Sequence, residues 1–225
     1  MQNHGRIFTK ETMNEMFETM LDAVTTLLPI VNPVGMAAVF LGYTAGLTFT
    51  QRVKVVNQIT VGFFFLVAGS FVFGSMILGF FGIAVAEVQV AGGLVLFFAA
   101  WQLLNQSGQP EEHDEPTEES VEEIVFFPLT MPITAGTGTL SVAIALGAQV
   151  ESKPVPTAVP HLIGGLLGIA LVAGTVWLSY RYAPWLSEKL GRTGTRIVEK
   201  LSAFVLLAIG VQVTHSGLVA LGTAG

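Results

Sequence analysis

Asp, Glu, Lys and Arg are missing from six long stretches of this chain, residues 23–51, 55–86, 88–110, 124–150, 154–180 and 201–225. A helix advances only about 1.5 Å per residue, so crossing a hydrocarbon core takes about 20 apolar residues in succession. Each run is long enough. Together they leave almost no room for a soluble domain, and lipid tolerates a spanning backbone only as a helix or a closed barrel. The expected fold is all-α and polytopic, a single membrane domain over residues 1–225 with six transmembrane helices. With 52% hydrophobic and 12% charged residues, the charges collect between the runs. The first 22 residues carry Arg6, Lys10, Glu11, Glu15, Glu18 and Asp22 with no early apolar core, which argues against a cleaved secretory signal.

Two of the runs contain residues that interrupt a helix. Pro29-Ile30-Val31-Asn32-Pro33-Val34-Gly35 and Pro132-Ile133-Thr134-Ala135-Gly136-Thr137-Gly138 share their spacing, with breaks expected at Pro29, Pro33, Pro132 and Gly136. Proline removes an N–H and clashes with the preceding turn, and lipid cannot satisfy the groups set free. Such breaks must face protein or a water-filled cavity. The match extends along the chain: an offset of 103 at the breaks becomes 105 at Leu66-Val67-Ala68-Gly69-Ser70 and Leu171-Val172-Ala173-Gly174-Thr175. It becomes 110 at Val88 and Val198, Val95 and Val205, Leu96 and Leu206, and Gln102 and Gln212. This reads as a duplication, with repeat one at about 17–106, an acidic linker at about 107–121 and repeat two at about 122–222. Three helices per repeat is an odd number, so the second copy enters from the opposite side. The result is two inverted three-helix repeats with broken first and fourth helices.

Half-helix N-termini at such breaks offer unpaired N–H groups and a positive dipole end, which suit a carboxylate. Val34, Gly35 and Met36 supply those amides in one half, and Thr137, Gly138 and Thr139 in the other. Asn32 suits either capping of the new helix or contact with a ligand ammonium. The expected solute-binding set is Asn32, Pro33, Gly35, Thr130, Thr134, Gly136, Thr137 and Gly138, with the glycines leaving room for the solute. The plainer reading is kinks and close-packing points, with threonines bonded to their own preceding turn. Gly62, Gly69, Gly74, Gly79, Gly92, Gly93, Gly164, Gly165 and Gly168 read as helix-packing positions. Gln102 and Gln212 read as interhelical hydrogen-bond partners. No carboxylate falls inside a span; Asp22 is the nearest candidate for ion coupling, against a role at the membrane interface.

Seven basic residues, Arg52, Lys54, Arg181, Lys189, Arg192, Arg196 and Lys200, fall on one side of a six-span topology, against Arg6, Lys10 and Lys153. The positive-inside rule then puts both termini outside and the acidic 107–121 segment in the cytoplasm, as a solvated linker. There is no HExxH, GxSxG or P-loop, no cysteine, and the four histidines are scattered. No enzyme, cofactor or metal site is expected. A net charge of -6 argues against nucleic-acid binding. The expected partners are a small-molecule solute and the lipid bilayer, with homo-oligomer formation left open.

Leu28 to Gly35, followed by Phe40-Leu41, resembles the N-P-x-G signature of the MarC family, six-helix integral membrane proteins related to SnatA-type neutral amino acid transporters. Pro128-Leu129-Thr130-Met131-Pro132, running to Gly136 and Gly138, resembles the family's second signature. Ala91-Gly92-Gly93 and Val211-Gln212 are similar to its third and sixth helices, and the resemblance covers about Leu21 to Leu218. Two positions depart: Ala38 and Thr137 stand where the family usually has proline. The resemblance implies a multi-pass protein of the bacterial inner membrane and transport of a neutral amino acid such as glycine or alanine. The functional expectation is a secondary transporter or exporter working by alternating access. The alternatives are a small-solute channel, or a scaffold or sensor acting through the acidic loop.

Overall fold

An apolar run that keeps its N–H donors winds into one helix; a run that loses them splits. The computed structural model describes residues 10–44, 46–105, 125–151 and 153–223, so the acidic linker lies outside the described residues. The elements are α1 (Lys10–Val31), α2 (Pro33–Tyr43), α3 (Phe49–Phe80), α4 (Val85–Asn105), α5 (Val125–Thr134, wound as a π-helix), α6 (Thr137–Glu151), α7 (Val155–Arg181) and α8 (Ala183–Thr223). Among the described residues every element is helical, and the chain is an all-α polytopic membrane protein.

Among the described residues five stretches are long and apolar enough to cross a membrane: Thr12–Ala37, Phe49–Phe80, Val85–Gln102, Thr157–Arg181 and Ala203–Gly222. The remaining run, 124–150, is divided into the 10 residues of α5 and the 15 of α6, each too short alone. α3, with 32 residues, is about 48 Å long, more than the hydrocarbon thickness, and its first turns carry Arg52 and Lys54, which suit the interface and not the hydrocarbon. Its start is fixed by a capping box between Thr48 and Gln51. Arg52 donates from Nη2 to Thr44 O at 2.8 Å, placing a cation at the carbonyl end of α2. The basic stretch after Arg181, expected as a connector, belongs to α8, which bends at Gly191 (φ 61°). Glycine adopts that backbone without a Cβ clash.

α1 lies on α7, α5 on α3, and α2 on α7 and α8; α6 lies on α3 and α4, and α4 on α8. α4 and α8 run antiparallel, since Gly93 approaches Gly210 while Ala86 and Val90 approach Gly217. The spacings that relate the two halves of the sequence recur in burial. Leu27, Val31, Gly35, Phe40 and Leu47 are buried, and so are Thr130, Thr134, Gly138, Ala143 and Val150, each 103 residues on. At 105, Val55, Ile59, Phe63, Val67 and Phe71 are matched by Pro160, Gly164, Gly168, Val172 and Val176. At 110, Gly93, Leu96 and Ala100 are matched by Ala203, Leu206 and Gly210. Of the expected packing glycines, Gly74 meets Ile144, Gly92 meets Ser141, Gly165 meets Phe71, and Gly164 and Gly168 meet the α1 backbone. Gly69 and Gly79 face open space, so packing does not explain them. Gln102 and Gln212 are both exposed on α4 and α8, not buried between helices.

Candidate functional site

The first break is a single residue. α1 continues through Pro29 to Val31, so Pro29 does not end it; Asn32 does, in the left-handed region (φ 47°, ψ 55°). Asparagine tolerates that backbone better than other side chains with a Cβ. Pro33 then opens α2 at its first position, where the missing N–H costs nothing. Asn32 Oδ1 accepts from Gly35 N–H at 3.2 Å, and Asn32 O accepts from Met36 N–H at 3.0 Å. Pro33 cannot donate to Pro29 O, and Gly35 N–H has turned to the cap, so the last carbonyls of α1 lose their usual donors. The cap uses the carboxamide oxygen. Its nitrogen is buried with no partner among the described residues. Asn32 therefore presents a free donor, which suits a carboxylate or carbonyl oxygen.

The second break is built differently. Pro128 and Pro132 lack N–H groups, and the coil of α5 widens: Ala135 N–H reaches back five residues to Thr130 O at 2.7 Å. Pro132 thus sits inside a helix, and the interruption falls at Ala135–Gly136. Those two residues are offset by 103 from Asn32–Pro33, so the breaks coincide under the sequence alignment. Leu140 N–H bonds Gly136 O, leaving the amides of Thr137, Gly138 and Thr139 outside the helical ladder. The hydroxyl protons are mostly committed. Thr130 donates to Val125 O and Thr134 to Leu129 O, both at 2.7 Å, and Ser141 donates to Gly138 O. What these side chains have left is oxygen lone pairs, which suit a donor such as an ammonium.

Packing brings the two breaks together, since α1 touches α6 and α2 touches α5. The interrupted segments therefore lie side by side and antiparallel. Pro33, Gly35, Thr130, Thr134, Gly138 and Thr139 are buried, Asn32 and Gly136 are half-buried, and Thr137 is exposed. Gly138 leaves no room for a solute, because a methyl added there would run into the Leu96 side chain. It is a close-packing point between α6 and α4. Asp22 is exposed on α1, ten residues from Asn32 and about 15 Å along the helix, so it is not brought to the breaks. Among the described residues no three His, Asp or Glu side chains gather as a metal site. A groove of about 350 Å³ lies apart from the breaks, between α3 and α7, lined by Thr60, Phe64, Phe65, Ala173, Gly174 and Trp177. Its walls are largely apolar and suit a lipid chain.

Beside the site lie Tyr180, which was not singled out from sequence, and Phe40, which entered only as part of the first signature. Tyr180 is fully buried, its ring stacked on Phe40 with centroids 4.7 Å apart and an 11° interplanar angle. Its hydroxyl lies 3.0 Å from Thr134 Oγ1, and Tyr180 must be the donor, because the Thr134 proton is already given to Leu129 O. In the sequence Tyr180 is simply the last residue before Arg181, indistinguishable from an interfacial tyrosine.

A family model described as MarC family integral membrane protein matches residues 17–221. The chain belongs to the MarC family. The membrane protein YvbG of Bacillus subtilis (strain 168) is 31% identical over 209 residues, covering 90% of this chain and 95% of that one. A membrane protein of Archaeoglobus fulgidus is 31% identical over 86% of this chain and 89% of its own. The inner membrane protein MarC of Escherichia coli O1:K1 is 27% identical over 92% of this chain and 96% of its own. No solved structure matches the chain. The Asn32 cap and the threonine-rich second break thus sit where the interrupted segments of this family member meet.

Proposed function

We propose that this MarC-family protein is a secondary transporter or exporter of a small neutral solute, a neutral amino acid such as glycine or alanine, held between two inverted halves. The observation that carries the reading is the pairing of breaks at equivalent positions in adjacent antiparallel segments. Each break offers both kinds of group: Asn32 Nδ2 as a free donor and the last carbonyls of α1 as acceptors at the first, the helix-start amides of Thr137 to Thr139 as donors and the Thr130 oxygen as acceptor at the second. No carboxylate or basic side chain joins them. A zwitterion has one group for each set and no net charge to strand in a dry site. Alternating access then amounts to the halves rocking about this region, with both termini outside by the distribution of basic residues.

Uptake and counterflow in proteoliposomes, with labelled glycine, alanine and a panel of other amino acids under imposed proton or sodium gradients, tests the reading. Saturable exchange of a neutral amino acid supports it. Flux that follows the gradient without saturating selects a channel instead.

A further inference from the structure

The two membrane faces of the proposed site are closed by different means. α7 starts just after Glu151 and ends at Arg181, about 40 Å away along 27 residues, so these two residues mark opposite faces. Toward the Glu151 face the closing helices are α3 and α6, and glycine lets them approach closely: Gly147 abuts the Phe71 backbone carbonyl, Gly74 abuts the Ile144 side chain, and Ser75 Oγ donates to Glu151 Oε2 at the rim. Toward the Arg181 face the closing helices are α2 and α7. The equivalent positions there are Thr44, Val176, Ser179 and Leu41, with no glycine among them. The gap is filled by side chains: Phe40 on α2 stacks on Tyr180 of α7, and Tyr180 bonds Thr134 at the second break. The positions equivalent to Phe40, Tyr180 and Thr134 are Ala143, Ser75 and Val31, so the aromatic plug has no counterpart on the Glu151 face. At the next residue the Arg181 guanidinium lies 4.4 Å from the ring of Phe49, so the end of α7 also contacts the start of α3 at this face.

We infer that Phe40 and Tyr180 are a side-chain gate between the solute site and the Arg181 face, latched by the Tyr180–Thr134 hydrogen bond. The inference rests on the transport reading for what passes the gate, but not for the gate itself. The glycine-packed seam opens only if the helices part, because at Gly147 and Phe71 backbone meets backbone with no side chain to rotate away. The aromatic seam opens by rotation of two rings. The latch joins the gate to the break that holds the solute, so movement of Thr134 releases Tyr180.

The natural absence of cysteine makes the test direct. Ala135→Cys places one thiol at the second break, where the wild-type residue is fully buried, and Lys189→Cys, exposed, marks the Arg181 face. Labelling by a membrane-impermeant maleimide is measured in right-side-out and inverted vesicles. Tyr180→Phe keeps the stack and removes only the latch, and Phe40→Leu keeps most of the volume. Each raises labelling of the Ala135→Cys thiol about tenfold, the weight of one buried hydrogen bond or ring contact, and only from the face at which Lys189→Cys reacts. Unchanged labelling in both variants overturns the gate, and so does an equal rise from both faces, which is general loosening. Amino acid flux is measured in the same vesicles. If wild type moves no amino acid while the one-sided rise persists, the gate stands and the amino acid reading falls.

Discussion

Asn32 has two separable duties, and three substitutions pull them apart. Asn32→Gly keeps the left-handed backbone at no steric cost and loses the cap, for which glycine gives up only a few tenths of a kcal/mol. Asn32→Ala loses the cap, about 1 kcal/mol, and forces a Cβ into φ 47°, about 1–2 kcal/mol more. Asn32→Asp keeps a capping oxygen and tolerates the backbone, but replaces the unpartnered Nδ2 donor with an acceptor. Thermal unfolding in detergent should therefore rank glycine near wild type, alanine about 2–3 kcal/mol below, and aspartate below glycine as well, because its carboxylate takes the buried place of Nδ2 without a partner. Flux should rank differently. Losing one donor to a carboxylate costs about 1.5–3 kcal/mol, roughly 10- to 150-fold in apparent affinity, so Asn32→Gly should transport poorly while folding well. Wild-type affinity in Asn32→Gly would refute contact between Nδ2 and the solute. An alanine variant as stable as the glycine one would refute the account of the break.

Two further outcomes follow from packing and chain direction. Gly138→Ala drives a methyl into Leu96 and should cost about 1–3 kcal/mol, with Leu96→Ala restoring much of it in the double variant; additive losses in thermal unfolding would mean the two do not meet. Lys153→Cys and Lys189→Cys flank α7 and should react with an impermeant maleimide from opposite faces, Lys189→Cys from the cytoplasmic one; reaction of both from one face would remove α7 as a crossing.

The spans were legible because charge placement and length suffice to mark a membrane helix, and the breaks because proline and glycine alter the backbone itself. The residue that ends each helix was not. At the first signature three residues, Pro29, Asn32 and Pro33, competed for the break, and only the left-handed cap decides for Asn32. At the second, Pro132 looked decisive, yet the coil accommodates it by widening to five-residue hydrogen bonds. Nothing in Gly138 itself says whether it faces a solute or Leu96, since both demand a missing side chain. The pairing of Tyr180 with Phe40 was invisible for another reason: a buried aromatic pair joins residues 140 positions apart, and no local pattern records it.

The proposed solute site, without ionised side chains, raises the question of how charge is matched inside a membrane. A fixed carboxylate or ammonium at the breaks would have to be desolvated in every empty cycle, at a cost of several kcal/mol per ion. Helix ends avoid this. Their unpaired amides and carbonyls are part of the backbone, and together they amount to about half a charge at each helix end. The chain supplies both signs at each break, because an interruption ends one helix and begins the next: the carbonyl end of α1 adjoins the amide start of α2, and the end of α5 adjoins the start of α6. Antiparallel contact of the two segments then sets the amide start of each half opposite the other's helix end. A molecule bearing one positive and one negative group a few bonds apart satisfies that arrangement, whereas a simple cation or anion satisfies half of it. The same geometry explains why the hydroxyls spend their protons on their own carbonyls. They are left as acceptors, and donor strength at the site comes from Asn32 and the amides alone.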